Sequence, residues 1–149
     1  MITDAMSRLI TTFNAGAVAT VNSDGTPSVS VKATFVIVDP TTIAFGNIRS
    51  PGTIANLARR PAIEVCFTDV LARKALRVTG TARVLRKSEA PAAVAAAFGS
   101  QWADYIGRIS HFVVIELSAV EEILSPAYDE AGCTEEELRA ANLAKLNAL

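Results

Sequence analysis

Short runs rich in β-branched residues, set apart by turn residues, limit what this chain can fold into more than any other feature. These runs lie at residues 17–21, 28–38, 41–45, 63–67, 76–84 and 111–117, and a further run covers residues 119–124. Their lengths and their bounding turn residues are typical of strands. Between the first two runs, Asp24-Gly25 supplies the positive φ that a hairpin turn needs, and Gly80 is expected to bend the longest strand. The pattern predicts six or more strands joined mostly by short connections, which favours an antiparallel barrel.

Four segments between or beyond these strands carry helix signals. Apolar residues at helical spacing predict a helix over residues 5–13, and Ser50 followed by Pro51 predicts the start of a second helix over residues 51–60. Ser88 is expected to cap an alanine-rich helix. Thr134 and Glu137 have the spacing of a capping box at the start of the last helix. We therefore expect a mainly β fold with helices at its periphery.

Composition narrows the class of protein. The chain has 149 residues, the length of one domain, and we assign residues 1–149 to a single domain. A net charge of -1 and a hydrophobic content of 50% argue against a nucleic-acid-binding protein and against disorder. Neither a signal peptide nor an apolar run near the ~20 residues of a membrane span is evident, so we expect a cytoplasmic protein without a membrane partner. Cys66 and Cys133 form no metal-binding pattern, so no metal site is predicted, and Cys66 is expected in the core.

The turn before the second predicted helix has the features of an anion site. Ser50 is a good N-cap residue, and a proline at the first helical position loses no hydrogen bond. Gly52 and Thr53 leave backbone N–H groups and a hydroxyl at the positive end of the helix, and Arg49 stands beside them. A phosphate is held in this way at many helix N-termini. The alternative is a well-capped helix that binds nothing.

With these elements in order, the chain resembles the pyridoxamine 5'-phosphate oxidase-like superfamily of FMN-binding split barrels from about residue 17 to residue 124. The resemblance rests on the order and spacing of several short motifs rather than on any one of them. The motifs are Gly16-Ala17-Val18-Ala19-Thr20-Val21, Gly25-Thr26-Pro27-Ser28-Val29, Phe45-Gly46-Asn47, Thr53-Ile54-Ala55-Asn56-Leu57 with Arg60-Pro61, and Leu76-Arg77-Val78-Thr79-Gly80. The resemblance implies an antiparallel split β-barrel of Greek-key type with peripheral α-helices, and it favours the phosphate interpretation of the turn.

The resemblance also implies a set of FMN-binding residues. One strand would lie along the flavin ring and ribityl chain through Ser30, Val31, Lys32, Ala33 and Thr34. Phe45, Gly46 and Asn47 would line the other side, and Arg49, Ser50, Gly52 and Thr53 would hold the phosphate. Members of the family are usually homodimers with the flavin at the subunit interface, so Arg73, Lys74 and Arg77 are candidates from the second subunit. The alternative for Lys32, and for this basic strand edge, is ordinary solvated residues.

Other residues and departures from the family pattern leave the chemistry open. Trp102 and Tyr105 are candidates to stack on a flavin or to lie in the core or interface, and a lone His111 is weak evidence for acid–base catalysis. Pro51-Gly52 replaces the Arg-Lys pair that the resemblance leads one to expect after the turn serine, so vitamin B6 oxidation is not assigned. The expected function is a flavin-dependent oxidoreductase of unknown substrate. The alternatives are an F420-dependent reductase and a flavin-binding module without catalysis.

Overall fold

The structure is a computed structural model and describes all residues 1–149. It contains seven strands, four α-helices and three short 3-10 helices. The strands are β1 Gly16–Val21, β2 Pro27–Lys32, β3 Phe35–Asp39, β4 Thr42–Asn47, β5 Ala62–Asp69, β6 Lys74–Arg86 and β7 His111–Leu124. The α-helices are α1 Asp4–Thr12, α2 Pro51–Arg59, α3 Ala92–Gln101 and α4 Glu135–Asn147. The 3-10 helices span Lys87–Glu89, Ala103–Arg108 and Pro126–Asp129.

All seven strands form one antiparallel sheet in the order β2-β1-β5-β6-β7-β4-β3. The prediction of a mainly β antiparallel fold with peripheral helices is confirmed. The two edge strands, β2 and β3, are consecutive in the chain and are separated only by Ala33 and Thr34. The sheet must therefore curl enough to bring its two edges together at this corner, although no ladder of hydrogen bonds closes it.

Two apolar clusters lie on opposite faces of the sheet. The larger one fills the concave face and draws residues from every strand except β2, with Phe35 and Phe67 in edge-to-face contact at a ring separation of 4.7 Å. The smaller one lies under α3, where Phe98 stacks on Phe112 at 4.3 Å. Strands β3, β4 and β7 are thus buried on both faces, which fixes their positions firmly.

Several predicted boundaries change in the structure. Residues 28–38 are not one strand, because the chain passes from one edge of the sheet to the other at Ala33 and Thr34. Residues 111–124 form one strand instead of two, and its pairing with β6 shifts register between Thr79 and Gly80. A Cβ at Gly80 would collide with the backbone oxygen of Glu116, so this position requires glycine.

Two expectations about single residues are corrected, and a third is confirmed in part. Cys66 is not a core residue, because alternation along β5 places it, half-buried, between inward-facing neighbours. Ser88 does not cap α3. It lies in the 3-10 helix Lys87–Glu89, and α3 begins at Ala92 with Pro91 at its N-cap position. At the start of α4, the Thr134 hydroxyl accepts from the Glu137 backbone N–H at 3.2 Å, which is one half of the predicted capping box.

The last helix is attached to the turn between β5 and β6. Asp69 is 2% exposed, accepts from the backbone N–H groups of Leu71 and Ala72, and pairs with Arg139 of α4. Asn142 donates to the Leu71 carbonyl at 2.8 Å.

No helix of the structure combines the length and the apolar character that a membrane crossing requires.

Candidate functional site

A cavity of about 360 Å³ lies where the two edges of the sheet approach each other. Its walls come from the end of β2 and the residues that follow it, from the end of β4 and the turn before α2, and from the 3-10 helix after α3. It is lined by Val31, Lys32, Ala33, Thr34, Gly46, Ile48, Arg49, Ser50, Trp102, Tyr105 and Arg108. Seven of the fifteen predicted cofactor-binding residues therefore lie together around one cavity of the size of a small-molecule site.

Lys32 is the most unusual residue in this wall. It stands at the last position of β2 and is only 9% exposed, although lysine is rarely buried without a counter-charge. Its ammonium group donates to the Ser50 hydroxyl and has no carboxylate partner. Burial lowers the pKa of Lys32 because the charged form loses hydration. The alternative of a solvated lysine on a strand face is thus wrong.

The same contact changes the role of Ser50. Ser50 occupies the N-cap position of α2 and Pro51 the first helical position, as predicted, but the Ser50 side chain makes no capping hydrogen bond to the helix. Its hydroxyl accepts from Lys32 instead. The backbone N–H groups at the positive end of α2 therefore lack the side-chain acceptor that an N-cap serine normally supplies.

A polar network fixes α2 against the first two strands. The hydroxyls of Ser30 and Thr53 are hydrogen-bonded at 3.1 Å, and Asn56 donates to the Thr20 hydroxyl at 3.0 Å. Ser30, Gly52 and Thr53 do not line the cavity. Thr53 is committed to Ser30, and Gly52 is exposed at the start of the helix with open space beside its Cα. The Ser30–Thr53 hydrogen bond helps to hold the turn in place, and the proposed cofactor contacts of Ser30, Gly52 and Thr53 stay predictions.

The opposite wall carries three side chains spaced by three residues. Trp102 immediately precedes the 3-10 helix Ala103–Arg108, and Tyr105 and Arg108 lie within that helix, in which side chains at i and i+3 lie one above the other. The Trp102 indole N–H donates to the Phe35 carbonyl at 2.9 Å, and its ring meets Tyr105 edge-on at 5.9 Å. Sequence reasoning missed Arg108 and Ile48. For Arg108, the repeat of three that begins at Trp102 is the signal that would have found it.

Two predicted residues at the end of β4 lie elsewhere. Phe45 is fully buried on the concave face against Phe35, at a ring separation of 5.4 Å, so its side chain does not reach the cavity. Asn47 lines a different cavity, on the side of α2 that faces β7. Between them, Gly46 does line the first cavity, and its backbone N–H and C=O both bond to Thr34. Alternation along β4 explains this separation.

The three basic residues proposed to come from a second subunit lie at the β5–β6 turn and the start of β6, outside the cavity of their own chain. Each has a partner within the chain. Lys74 pairs with Glu135 at 3.1 Å, Arg77 pairs with Glu121, and Arg73, in the left-handed conformation at φ 56°, donates to Asn142 at 3.4 Å. The hydrogen bond to Glu135 raises the pKa of Lys74. Their proposed contact with a cofactor stays a prediction.

The chemistry of the cavity is that of a site for an anion joined to a flat apolar group. Lys32, Arg49 and Arg108 bring three cationic side chains to one space, and no carboxylate lines it. The indole and phenol rings of the opposite wall offer surfaces on which a planar ring can lie. A phosphate with an attached aromatic ring system fits this donor set, because the buried ammonium group lacks the negative charge that would compensate it.

Comparison with known proteins places the chain in a family. A family model described as pyridoxamine 5'-phosphate oxidase matches residues 2–124, and the chain belongs to this family. No curated protein matches it. Among solved structures, HupZ from Group A Streptococcus is 26% identical with a TM-score of 0.72, and the match covers 84% of this chain and 96% of that one.

Two more distant structures share the fold. An FMN-binding protein from Syntrophomonas wolfei is 12% identical with a TM-score of 0.64, covering 80% of this chain and 83% of that one. An F420 reductase is 19% identical with a TM-score of 0.55, covering 72% of this chain and 88% of that one. At these identities the likeness concerns the architecture alone.

Proposed function

We propose that the protein binds FMN in the cavity beside Lys32 and acts as a flavin-dependent oxidoreductase. The observation that supports this most strongly is the buried Lys32 ammonium, which lacks a carboxylate partner and shares the cavity with Arg49 and Arg108. A phosphate dianion would supply the missing negative charge. The family membership and the FMN-binding protein among the structural neighbours point the same way.

In this proposal each part of the cavity has a task. Lys32, Arg49 and the Ser50 hydroxyl hold the phosphate at the positive end of α2. Val31, Ala33, Thr34 and Gly46 lie along the ring system, and Trp102 and Tyr105 shield it from water. The flavin supplies the redox chemistry when it is bound, and the chain positions it and limits access to it.

Two alternatives use the same cavity. The deazaflavin F420 carries a longer anionic tail, for which Arg108 offers an additional cation, and an F420 reductase shares the fold. A flavin-binding module without catalysis is favoured by the absence of any acidic or histidine side chain from the cavity wall. Neither NADH nor NADPH would bleach a bound flavin in such a module.

We propose that the working unit is a homodimer and that the curled sheet forms the split barrel characteristic of such dimers. Val29 and Val31 are 66% and 68% exposed on the edge strand β2, and Val31 also lines the cavity. An exposed apolar edge strand invites a partner. A second copy placed there would cover the open side of the cavity and would bring its own Arg73, Lys74 and Arg77 to the interface.

The unpaired cysteines Cys66 and Cys133 suit a reducing compartment, and we propose the cytoplasm.

The proposed phosphate site is tested by comparing FMN with riboflavin. In the Arg49→Glu variant, the dissociation constant for FMN should rise far more than that for riboflavin, because only FMN loses a charge-assisted contact and gains repulsion. Arg8→Glu is the matched control, since Arg8 is an exposed residue of α1 that does not line the cavity. Flavin fluorescence provides the titration signal. Equal weakening of both ligands by Arg49→Glu would contradict the assignment.

The shared site is tested by changing Val29, which lies on the exposed face but does not line the cavity. The Val29→Lys variant should dissociate into monomers and lose FMN affinity at the same time, since binding to the dimer stabilises only the assembled state. Light scattering at micromolar concentration reports the mass. A stable monomer that binds FMN as tightly as the unchanged protein would argue against a site shared between subunits.

A further inference from the structure

Asn47 holds the one buried side-chain acceptor in the protein without a hydrogen-bond partner. The residue is 3% exposed at the end of β4, and its Oδ1 atom receives no hydrogen bond. Buried polar groups are almost always paired, because an unpaired one loses its hydration without compensation. The FMN site proposed above does not use this side chain, since Asn47 is absent from the wall of that cavity.

Asn47 lines a second cavity of about 320 Å³, which lies between α2 and the first residues of β7. Apolar contacts come from Ile48, Pro51, Ile54, Ala55 and Ala58, and polar groups come from Asn47, Ser50, Ser110 and His111. No lysine, arginine or carboxylate lines it. The second cavity is therefore suited to an uncharged molecule, unlike the cationic first cavity. Ile48 and Ser50 line both cavities, so the two sites are neighbours across the turn before α2.

Hydrogen bonds around Ser110 determine what His111 presents. The Ser110 hydroxyl donates its single hydrogen to the backbone carbonyl of Asn47 at 3.0 Å, which leaves its oxygen to accept from the His111 Nδ1 at 3.0 Å. In its neutral form, the His111 ring therefore carries its hydrogen on Nδ1 and has Nε2 free as an acceptor. Asn47 and His111 are directly opposite each other in the β4–β7 pairing, which places their Cβ atoms about 5 Å apart on one face of the sheet.

We propose that the second cavity binds a small, uncharged, planar molecule that carries a primary amide or an amino group. The Asn47 amide turns about its Cβ–Cγ bond to bring Oδ1 to the cavity, where Oδ1 accepts one N–H of such a group, and a second N–H reaches the neighbouring Nε2 of His111. The ring lies against the apolar side chains of α2. A molecule without N–H donors leaves the Asn47 acceptor unpaired and gains only the apolar contact. The proposal does not depend on which cofactor occupies the first cavity.

Nicotinamide is a suitable probe because it combines a planar ring with a primary amide. His111 is the only histidine and Trp102 the only tryptophan, so their NMR signals report on the second and the first cavity separately. Titration of the protein with nicotinamide should shift the His111 ring resonances and saturate, with a dissociation constant on the order of 1 mM. Methyl nicotinate keeps the ring but lacks N–H donors, and it should bind at least about tenfold more weakly.

Two variants separate ligand recognition from folding. Asn47→Leu should weaken nicotinamide at least about tenfold without lowering the urea midpoint, because removal of an unpaired buried amide relieves a cost in the free protein. His111→Phe should also weaken nicotinamide while it retains the apolar surface. For that variant, nicotinamide binding is followed on the backbone amide resonances of Ala55 and Ala58. A structural role for Asn47 alone would instead lower the urea midpoint of Asn47→Leu and leave nicotinamide binding in His111→Phe unchanged.

The result with FMN distinguishes this inference from the proposed function. If FMN fails to bind but nicotinamide shifts His111, the proposed cofactor is wrong and the second site stands. If FMN itself shifts His111 and excludes nicotinamide, the second cavity belongs to the cofactor site and the inference is overturned. Equal binding of nicotinamide and methyl nicotinate, or the absence of any saturable shift at His111, would overturn it as well.

Discussion

Replacement of the buried Lys32 by methionine is the sharpest test of how the first cavity works. Methionine keeps a long, unbranched side chain and removes the ammonium group. In the free protein, Lys32 contributes one hydrogen bond to Ser50 and costs hydration energy, since it is buried without a carboxylate. These effects oppose each other, so the free energy of unfolding should change by no more than about 1 kcal/mol in either direction.

The effect on FMN should be much larger. A hydrogen bond from a charged donor contributes about 1.5–3 kcal/mol, and loss of such a bond to the phosphate raises the dissociation constant about 10- to 150-fold. Riboflavin lacks the phosphate, so its affinity should change little. Lys145→Met, on the exposed side of α4, makes the same chemical change outside the cavity and serves as the control. The measurement is fluorescence titration of all three proteins with both ligands.

The pH dependence has a definite sign. Because burial lowers the pKa of Lys32, the unfolded chain binds more protons than the folded one between that lowered pKa and the ordinary lysine value. Stability should therefore rise with pH across this interval. FMN needs the charged ammonium, so FMN affinity should fall as pH rises through the lowered pKa. Both components should be missing from Lys32→Met. An FMN dissociation constant that is the same in both proteins, or a loss of affinity shared equally by riboflavin, would refute this account of the site.

Three further predictions concern the stability of the fold and the choice of substrate. Gly80→Ala should lower the free energy of unfolding by about 1–3 kcal/mol in urea, because its Cβ meets the backbone of Glu116, whereas Gly99→Ala in the open face of α3 should raise it by about 0.5–1 kcal/mol. Asp69→Ala should cost about 2–4 kcal/mol, since it leaves two backbone N–H groups and Arg139 without their acceptor, and hydrogen exchange should show faster opening of α4. Purified protein with FMN should form little pyridoxal 5'-phosphate from pyridoxamine 5'-phosphate, and efficient turnover in an absorbance assay would contradict the weight given to Pro51 and Gly52.

Much of the architecture follows from local patterns. The alternation of apolar and polar residues, the Asp24-Gly25 turn and the proline at the start of α2 each act over a few residues, so the sequence shows them directly. The strands, three of the helix starts and the antiparallel pairing agree with these expectations. The boundaries within residues 28–38 and 111–124 were predicted wrongly, because they depend on how the strands are arranged in the sheet. Ala33 and Thr34 carry the chain from one edge of the sheet to the other, and no local pattern records that step.

The candidate site was predictable only in part, because several of its properties belong to pairs of distant residues. The sequence alone identified Lys32, Arg49, Ser50 and Trp102 as candidates, from turn chemistry, helix capping and family resemblance. Only the tertiary structure shows that Lys32 is buried against Ser50. From the sequence, a lysine at the end of a strand is expected to be exposed, because nothing in it shows that the turn before α2 packs there. The tertiary structure also places Asn47 outside the first cavity. Alternation along β4 sends neighbouring side chains to opposite faces of the sheet, which the sequence shows. The position of those side chains relative to α2 depends on the curl of the whole sheet, which the sequence does not show.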